Sequence, residues 1–571
     1  MFKNPLLLVA LTLTGAVALW GIVDTQGLAS FAAAMVNRMF TSRGWFIMLS
    51  VSAMLFTSAY LAFSRYGQIK LGEDDDEPEF STVSWLSMLF AAGMGVGLLY
   101  WGAAEPITHY LIIRDFEPEQ RSATYALFVT NFHWGLHAWA IYAVTALTIA
   151  YFSFRKGCAT LISAPIQHVF GRRPWTRGVG WLSDLLAIYA IAIGLGGSVA
   201  MGVFQVQSGV ESLFNLEKTG LWMAMGIFAL LCISYILPLT VDLSQGMARL
   251  SNAAMATAGA LMVFVLLAGP TWFLMSGITE AIGGYISGVV PQGFRTYTFF
   301  DERVAGWFRG WTLTYMVWWL AWAPFVGVFI ARISKGRTIR EFILGVVLVP
   351  TVFSMLWFGV FGGMGFHEAL RTDSSIVEVV ESNVDHTTFY LLDTLPLSFL
   401  TTAATVLAAF LFIVTSVVSA AWVLAMFSTG GDPDPSTKVK LIWGVILGAL
   451  GLVMILSGSI DAVKSIIALG ALPFSFLTTA ATVLAAFLFI ITSVVSAAWV
   501  LAMFSTGGDP DPSTKVKLIW GVILGALGLV MILSGSIDAV KSIIALGALP
   551  FVFIVLLLVV CLLKALKKEA T

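Results

Sequence analysis

The sequence predicts an all-α polytopic membrane protein, on two observations. Of 571 residues 58% are apolar and only 11% are Asp, Glu, Lys or Arg, whereas soluble domains carry roughly 25% charged residues. Apolar stretches long enough to cross a bilayer, about 20 residues as a helix, recur between short charged loops. Helices are the expected form because each satisfies its own backbone hydrogen bonds within lipid. The composition does not fit a soluble enzyme. With 31 basic against 32 acidic side chains and a net charge of -1, there is no basic footprint for nucleic acid either.

Taken in order, the first apolar run covers residues 5–23. Trp20, Val23 and Asp24 do not make a small-residue cleavage site, so this run reads as a span and not as a signal peptide. Further runs lie at 44–63, 83–104, 125–153, 181–210, 220–238, 251–276, 307–331, 342–365, 398–428 and 440–457. A last span precedes the tail Lys564–Thr571, where Lys564, Lys567 and Lys568 would meet anionic membrane lipid. Arg155, Lys156, Arg172, Arg173 and Arg177 follow the fourth run, and Arg332, Lys335, Arg337 and Arg340 the eighth. This basic excess places both loops in the cytoplasm. Counting from them, both termini are cytoplasmic and the acidic stretch Glu368, Asp373, Glu378, Glu381 and Asp385 is outside. Residues Glu73 to Glu79, six acids and a proline, read as a solvated cytoplasmic spacer. Cys158, Cys232 and Cys561 lie far apart without metal-ligand spacing and read as packing residues.

The segment Ser398–Phe474 recurs as Ser475–Phe551, 77 residues that differ only where Val414 becomes Ile491. Repeats in transporters normally keep weak internal similarity. The second copy is therefore a very recent tandem duplication or an artefact of sequence assembly, the latter favoured. Taking 77 from 571 leaves 494 residues and twelve spans; both copies together give fourteen.

Three clusters carry candidate chemistry. Gly93, Gly95 and Gly97 alternate inside the third run, where each glycine costs up to about 1 kcal/mol relative to alanine. Two readings stand: close helix packing, or a broken helix whose freed carbonyls meet a cation or substrate. Aromatic residues gather as Trp134, Trp139 and Tyr142 in the fourth run and Trp318, Trp319 and Trp322 in the eighth, ahead of a mid-span Pro324 that removes a helix hydrogen bond. Trp139 and Tyr142 are three apart, as are Trp319 and Trp322, so each pair shares a helix face. Two such faces make a box of π surfaces suited to quaternary ammonium, which has no N–H to donate; simple core packing is the alternative. His133 and His137 have metal-pair spacing without a carboxylate, which favours hydrogen-bonded structural histidines. Phe412, Thr415 and Ser416 offer oxygen atoms of the kind a hard cation takes, although such hydroxyls usually bond to their own helix.

The strings Ser87 to Gly97, Ala104-Glu105-Pro106, Trp134 to Tyr142, Trp318-Trp319 through Gly327, and Ala331 to Phe342 resemble the betaine/choline/carnitine transporter family. The resemblance runs from about residue 5 to the end, the duplicated block apart. It implies two inverted five-helix repeats of the leucine-transporter type preceded by two extra helices. These would be the first two helices and acidic loop at 1–80, the first repeat with an amphipathic connector at 81–306, and the second repeat at 307–571. It further implies a homotrimer in the bacterial inner membrane. The family's aromatic box falls on Trp134, Trp139, Tyr142 and Trp319, with Trp318 and Trp322 beside the substrate path. Its sodium site falls on the carbonyls of Ala91, Met94 and Phe412 and the hydroxyls of Thr415 and Ser416.

Those residues imply sodium-coupled import of a quaternary-ammonium zwitterion such as glycine betaine, with no cofactor beyond the coupling ion and no enzymatic activity. Four features qualify the expectation. Sodium-coupled members often continue Thr-Ser with Ala-Asp-Ser, where this chain has Val417-Val418-Ser419. Thr492 and Ser493 repeat the hydroxyl ligands. Asp184 to Gly209 contains no Arg or Lys that would replace the ion, and Gly97 lacks the Asp found in some proton-coupled choline carriers. Choline, carnitine or dimethylsulfoniopropionate, carried by proton coupling or exchange, is the alternative; a channel or substrate sensor is the alternative of another class.

Overall fold

A computed structural model describes residues 4–115, 119–217, 219–239, 244–371, 375–432, 434–457, 461–473, 502, 505 and 513–519. The chain divides into Met1–Ala480 and Ala481–Thr571. In the second unit, residues 514–519 are helical after Ser513. Thr492, Ser493, Cys561 and the expected last span lie outside the described residues.

Among the described residues the regular structure is helical, with one isolated bridge between Lys70 and Thr338. The helices are α1 (Pro5–Val23), α2 (Thr25–Phe63), α3 (Thr82–Gly93), α4 (Gly95–Ile113), α5 (Glu119–Trp134), α6 (Leu136–Ala150), α7 (Ser163–Phe170), α8 (Pro174–Leu213), α9 (Leu221–Leu239) and α10 (Ser244–Ala268). They continue with α11 (Thr271–Gln292), α12 (Glu302–Phe308), α13 (Thr314–Ile333), α14 (Ile339–Ile343), α15 (Val349–Arg371), α16 (Ser375–Ser382), α17 (Thr387–Asp393), α18 (Ser398–Ser428), α19 (Thr437–Leu456) and α20 (461–473). Among the described residues nine helical segments are long and apolar enough to cross a membrane, so the protein is multi-pass.

The helices depart from the expected runs where local chemistry intervenes. α2 starts at Thr25 rather than near residue 44, because the Asp24 side chain caps it by accepting from the Gly27 N–H at 2.9 Å. The run 251–276 is two helices: Pro270 has no N–H to continue α10, and α11 begins at Thr271. The interruption expected at Pro324 is absent, since α13 runs through it to Ile333. Its lost N–H costs one bond at the Leu320 carbonyl, which a membrane helix packed on all sides tolerates. Two interruptions do occur, at Met94 between α3 and α4 and at Gly135 between α5 and α6.

The core lies around α13 and α8. α13 is apolar all round and almost wholly buried, as expected of a helix surrounded by others. It packs against α6 and α8, while α18 lies along α8 and α19.

On one face the loops knit together. The acidic segment 73–79 is not a free spacer: Asp74 pairs with Arg155 at 2.6 Å, Glu79 with Arg332 at 2.7 Å and Asp76 with Lys335 at 3.3 Å. These contacts put the acidic segment beside the basic loops that follow the fourth and eighth runs. The Arg155 guanidinium holds the Asp74 carboxyl below its usual range. Gly336, at φ +83°, brings its backbone against Glu77, where a Cβ would stand 2.5 Å from the Glu77 carbonyl. Arg337 lies 4.1 Å over the Trp85 ring at the start of α3.

Candidate functional site: an aromatic cavity beside a buried carboxylate

The fourth span breaks at Gly135, a residue whose Cβ would stand 2.2 Å from the Tyr285 hydroxyl. The break brings a new partner to the His133 carbonyl, which accepts the Trp319 indole N–H at 2.7 Å and ties α13 to α5. Around that bond the rings meet. Trp134 and Trp319 have centroids 5.1 Å apart at 71°, Tyr142 and Trp319 5.9 Å at 83°, and Trp139 and Tyr142 5.5 Å at 84°. The structure therefore joins Trp134, Trp139, Tyr142 and Trp319 in one array. These four, with Trp318 and Trp322, are between 1% and 7% exposed, so none of these rings is turned toward lipid.

The glycines of the third span make room for this array. A Cβ on Gly93 would stand 2.5 Å from the Trp139 ring, and one on Gly97 2.8 Å from the Trp134 ring. Met94, between the two helices, has φ -115° and ψ -41°. The helix is interrupted at Met94, and Gly93 and Gly97 admit the indoles packed against them. A helix end at this point also leaves carbonyls short of intrahelical partners.

A small cavity of about 30 Å³ opens among Gly93, Met94, Gly97, Trp101, Trp134, Ser198, Tyr315, Trp318, Trp319, Trp322 and Ser416. That is room for little more than one water molecule, so the rings stand nearly closed and a ligand requires them to part. Trp139 and Tyr142 lie behind this lining. Among the described residues, the indole N–H groups of Trp101 and Trp322 on this lining are buried without a hydrogen-bond partner, which leaves donors for an anionic group on a ligand.

Of the expected sodium ligands, Met94 and Ser416 share the cavity wall. The Thr415 hydroxyl donates to the carbonyls of Leu411 and Phe412, at 3.0 Å each. Its proton is committed there while its oxygen lone pairs are not, whereas the Phe412 carbonyl, inside α18, takes the Thr415 hydroxyl beside its helical N–H partner. Ala91 lies in the last turn of α3, three residues before Met94. The hydroxyl oxygens of Thr415 and Ser416 are of the kind a hard cation takes.

Behind Trp134 lies a feature that pattern reading missed. Glu105, fully buried, accepts from the Trp134 indole at 2.8 Å and the Tyr315 hydroxyl at 2.5 Å on one oxygen. Its other oxygen takes His133 Nδ1 at 2.7 Å and His109 Nε2 at 3.3 Å. Glu105, His109 and His133 are close enough to suggest a metal, but the protons argue otherwise. Trp307 donates to His109 Nδ1 at 3.1 Å, so His109 carries its proton on Nε2 and cannot ligate through it. With four donors, the carboxylate is a filled hydrogen-bond acceptor that fixes Trp134 and Tyr315. His133 also meets Thr312 at 2.9 Å, and His137 meets Ser52 at 3.4 Å. The sequence signals for this cluster are the string Ala104-Glu105-Pro106 and His133, expected to be a hydrogen-bonded structural histidine.

The betaine/carnitine/choline family transporter model matches residues 5–485 and again 475–571. The chain belongs to that family. The second match starts where the second copy of the duplicated block begins. Across 469 residues the chain is 38% identical to the glycine betaine transporter OpuD of Bacillus subtilis, covering 82% of this chain and 90% of that protein. It is 36% identical over 471 residues to a probable glycine betaine transporter of Desulfitobacterium hafniense, covering 81% and 92%. It is 33% identical over 435 residues to an ectoine/hydroxyectoine transporter of Virgibacillus pantothenticus, covering 76% and 85%. Membership of the family makes this chain a multi-pass membrane transporter and places it outside the enzymes.

Proposed function

We propose that this transporter imports a quaternary-ammonium zwitterion, glycine betaine or a close analogue, by cation-coupled symport. The observation that carries the reading is the buried array of Trp134, Trp139, Tyr142 and Trp319, drawn from spans that meet only in the fold. A trimethylammonium head has no hydrogen-bond donor, so its recognition falls to π faces, each worth roughly 0.5–2 kcal/mol. The unpartnered indole N–H groups suit the carboxylate at the other end of the ligand. The names of the relatives, glycine betaine transporters and an ectoine transporter, agree with a zwitterionic cargo.

Sodium is the proposed coupling ion, held by the carbonyls of Ala91, Met94 and Phe412 and the hydroxyls of Thr415 and Ser416. The closed rings and the interrupted third span support alternating access, in which one bundle of helices moves against another about a central site. Each sodium entering at 100 mV contributes about 2.3 kcal/mol, enough for substantial accumulation. The proposed setting is a homotrimer in a bacterial inner membrane with both termini cytoplasmic. Uptake of labelled glycine betaine into proteoliposomes, with and without an inward sodium gradient, tests the coupling: gradient-driven accumulation is expected, and uptake indifferent to sodium would point to proton coupling or exchange.

A further inference from the structure

Lys464 is the feature that the transport reading leaves unused. Among the described residues it is the only buried lysine, at 9% exposure. It projects from α20, the helix after α19, and its Nζ lies 3.7 Å from the ring centroid of Trp311 and 4.9 Å from that of Trp101. The two indoles stand edge to face, with centroids 5.4 Å apart. Asp461 lies 4.0 Å from the ammonium, with its own side chain 93% exposed. Burial disfavours a charged amine, and two π faces with a nearby carboxylate offset that cost.

The position of this seat gives it a consequence. Trp101 also lines the central cavity, so a fixed positive charge stands one ring away from the space where the ligand's head group would lie. Trp311 packs on His109 at 4.7 Å, and His109 reaches Glu105 and through it Trp134. The charge is thus held by the same packed groups that orient the box. A ligand that is only a cation brings a second positive charge toward the Lys464 ammonium. A zwitterion brings a carboxylate that cancels the repulsion.

We propose that Lys464 selects ligands by net charge: its ammonium, seated on Trp101 and Trp311, disfavours simple cations such as choline and accepts zwitterions, whose carboxylate it attracts. This rests on the onium reading of the cavity and adds the group that separates two onium classes sharing one head. Discrimination by a repulsive element is a common route to specificity.

The test compares glycine betaine and choline, by binding to the purified full chain and by uptake into proteoliposomes, for the wild type, Lys464→Gln and Lys464→Arg. The wild type is expected to prefer betaine. Lys464→Gln should lower the betaine-to-choline preference about tenfold, chiefly through a gain for choline, and Lys464→Arg should retain it. A preference that survives Lys464→Gln in folded, betaine-binding protein overturns the filter alone. A wild type that binds neither compound overturns the transport reading and the filter with it. Where Lys464→Gln yields no folded protein, Asp461→Asn at the exposed partner leaves the ammonium less neutralised and should raise the preference about twofold; no change or a fall overturns the filter.

Discussion

Trp134 stands between two unlike regions. Its ring lines a cavity where the indole N–H groups of Trp101 and Trp322 have no partner among the described residues, and its own N–H enters a cluster where Glu105 takes four donors. The polar cluster is saturated and the cavity is not. Saturation suits a scaffold, because buried donors that lose their acceptor cost free energy whatever the ligand does. Unmet donors and bare π faces suit a surface that a ligand completes. The protein thus separates what holds the rings from what the rings hold, within the width of one indole.

That contrast is open to attack by substitution. The largest effect is expected at Glu105. Glu105→Ala strands four buried donors and should destabilise the protein by about 3–5 kcal/mol, read as a lowered unfolding temperature in detergent; wild-type stability would remove the cluster's scaffold role. Trp319→Leu comes next, losing a π face and the N–H bond to the His133 carbonyl. Betaine affinity should weaken by about 2 kcal/mol or more in calorimetric titration, and unchanged affinity would reduce the rings to packing.

Gly97→Ala places a methyl group 2.8 Å from the Trp134 ring, an overpacking expected to cost about 1–3 kcal/mol and to appear as weaker betaine binding. Gly178→Ala, with nothing within 4 Å of the added atom, should leave binding unchanged; equal effects at both glycines would sever the link between the glycine motif and the ring. The smallest effect is expected in the ion pairs of the loop face. The Asp74 carboxyl, held low by Arg155, supports that face at neutral pH. The support is fully present above the free carboxyl's value of about 3.9 and is lost as pH falls below it. Asp74→Asn should leave uptake at neutral pH unaltered, because an exposed pair is screened by salt.

How far the sequence discloses these regions follows from how local each signal is. The spans and the rings are legible because hydropathy and the density of tryptophan at 134–142 and 318–322 are properties of single segments. The interruption at Met94 is legible because three glycines in a membrane helix demand a reason. Gly135 is one glycine among many, and only the Tyr285 hydroxyl packed against it gives it meaning. Pro324 misleads in the opposite direction, since packing on every side of α13 keeps the helix intact. Glu105 is illegible for a stronger reason: its donors come from α4, α5 and α13, so no window of sequence contains the site. Lys464 is likewise a lone lysine until Trp101 and Trp311 are brought to it. The acidic segment 73–79 reads as a spacer because its arginine and lysine partners lie about 80 and 250 residues away.

The most direct test of a cavity built for an onium head replaces the charge and nothing else. Glycine betaine and 3,3-dimethylbutanoate have the same shape and the same carboxylate, and differ by a quaternary nitrogen against a quaternary carbon. Calorimetric titration of the purified protein should show the carbon compound binding at least about tenfold more weakly, in line with cation–π attraction across several rings. Equal affinity for the two would contradict recognition by the rings of Trp134, Trp139, Tyr142 and Trp319.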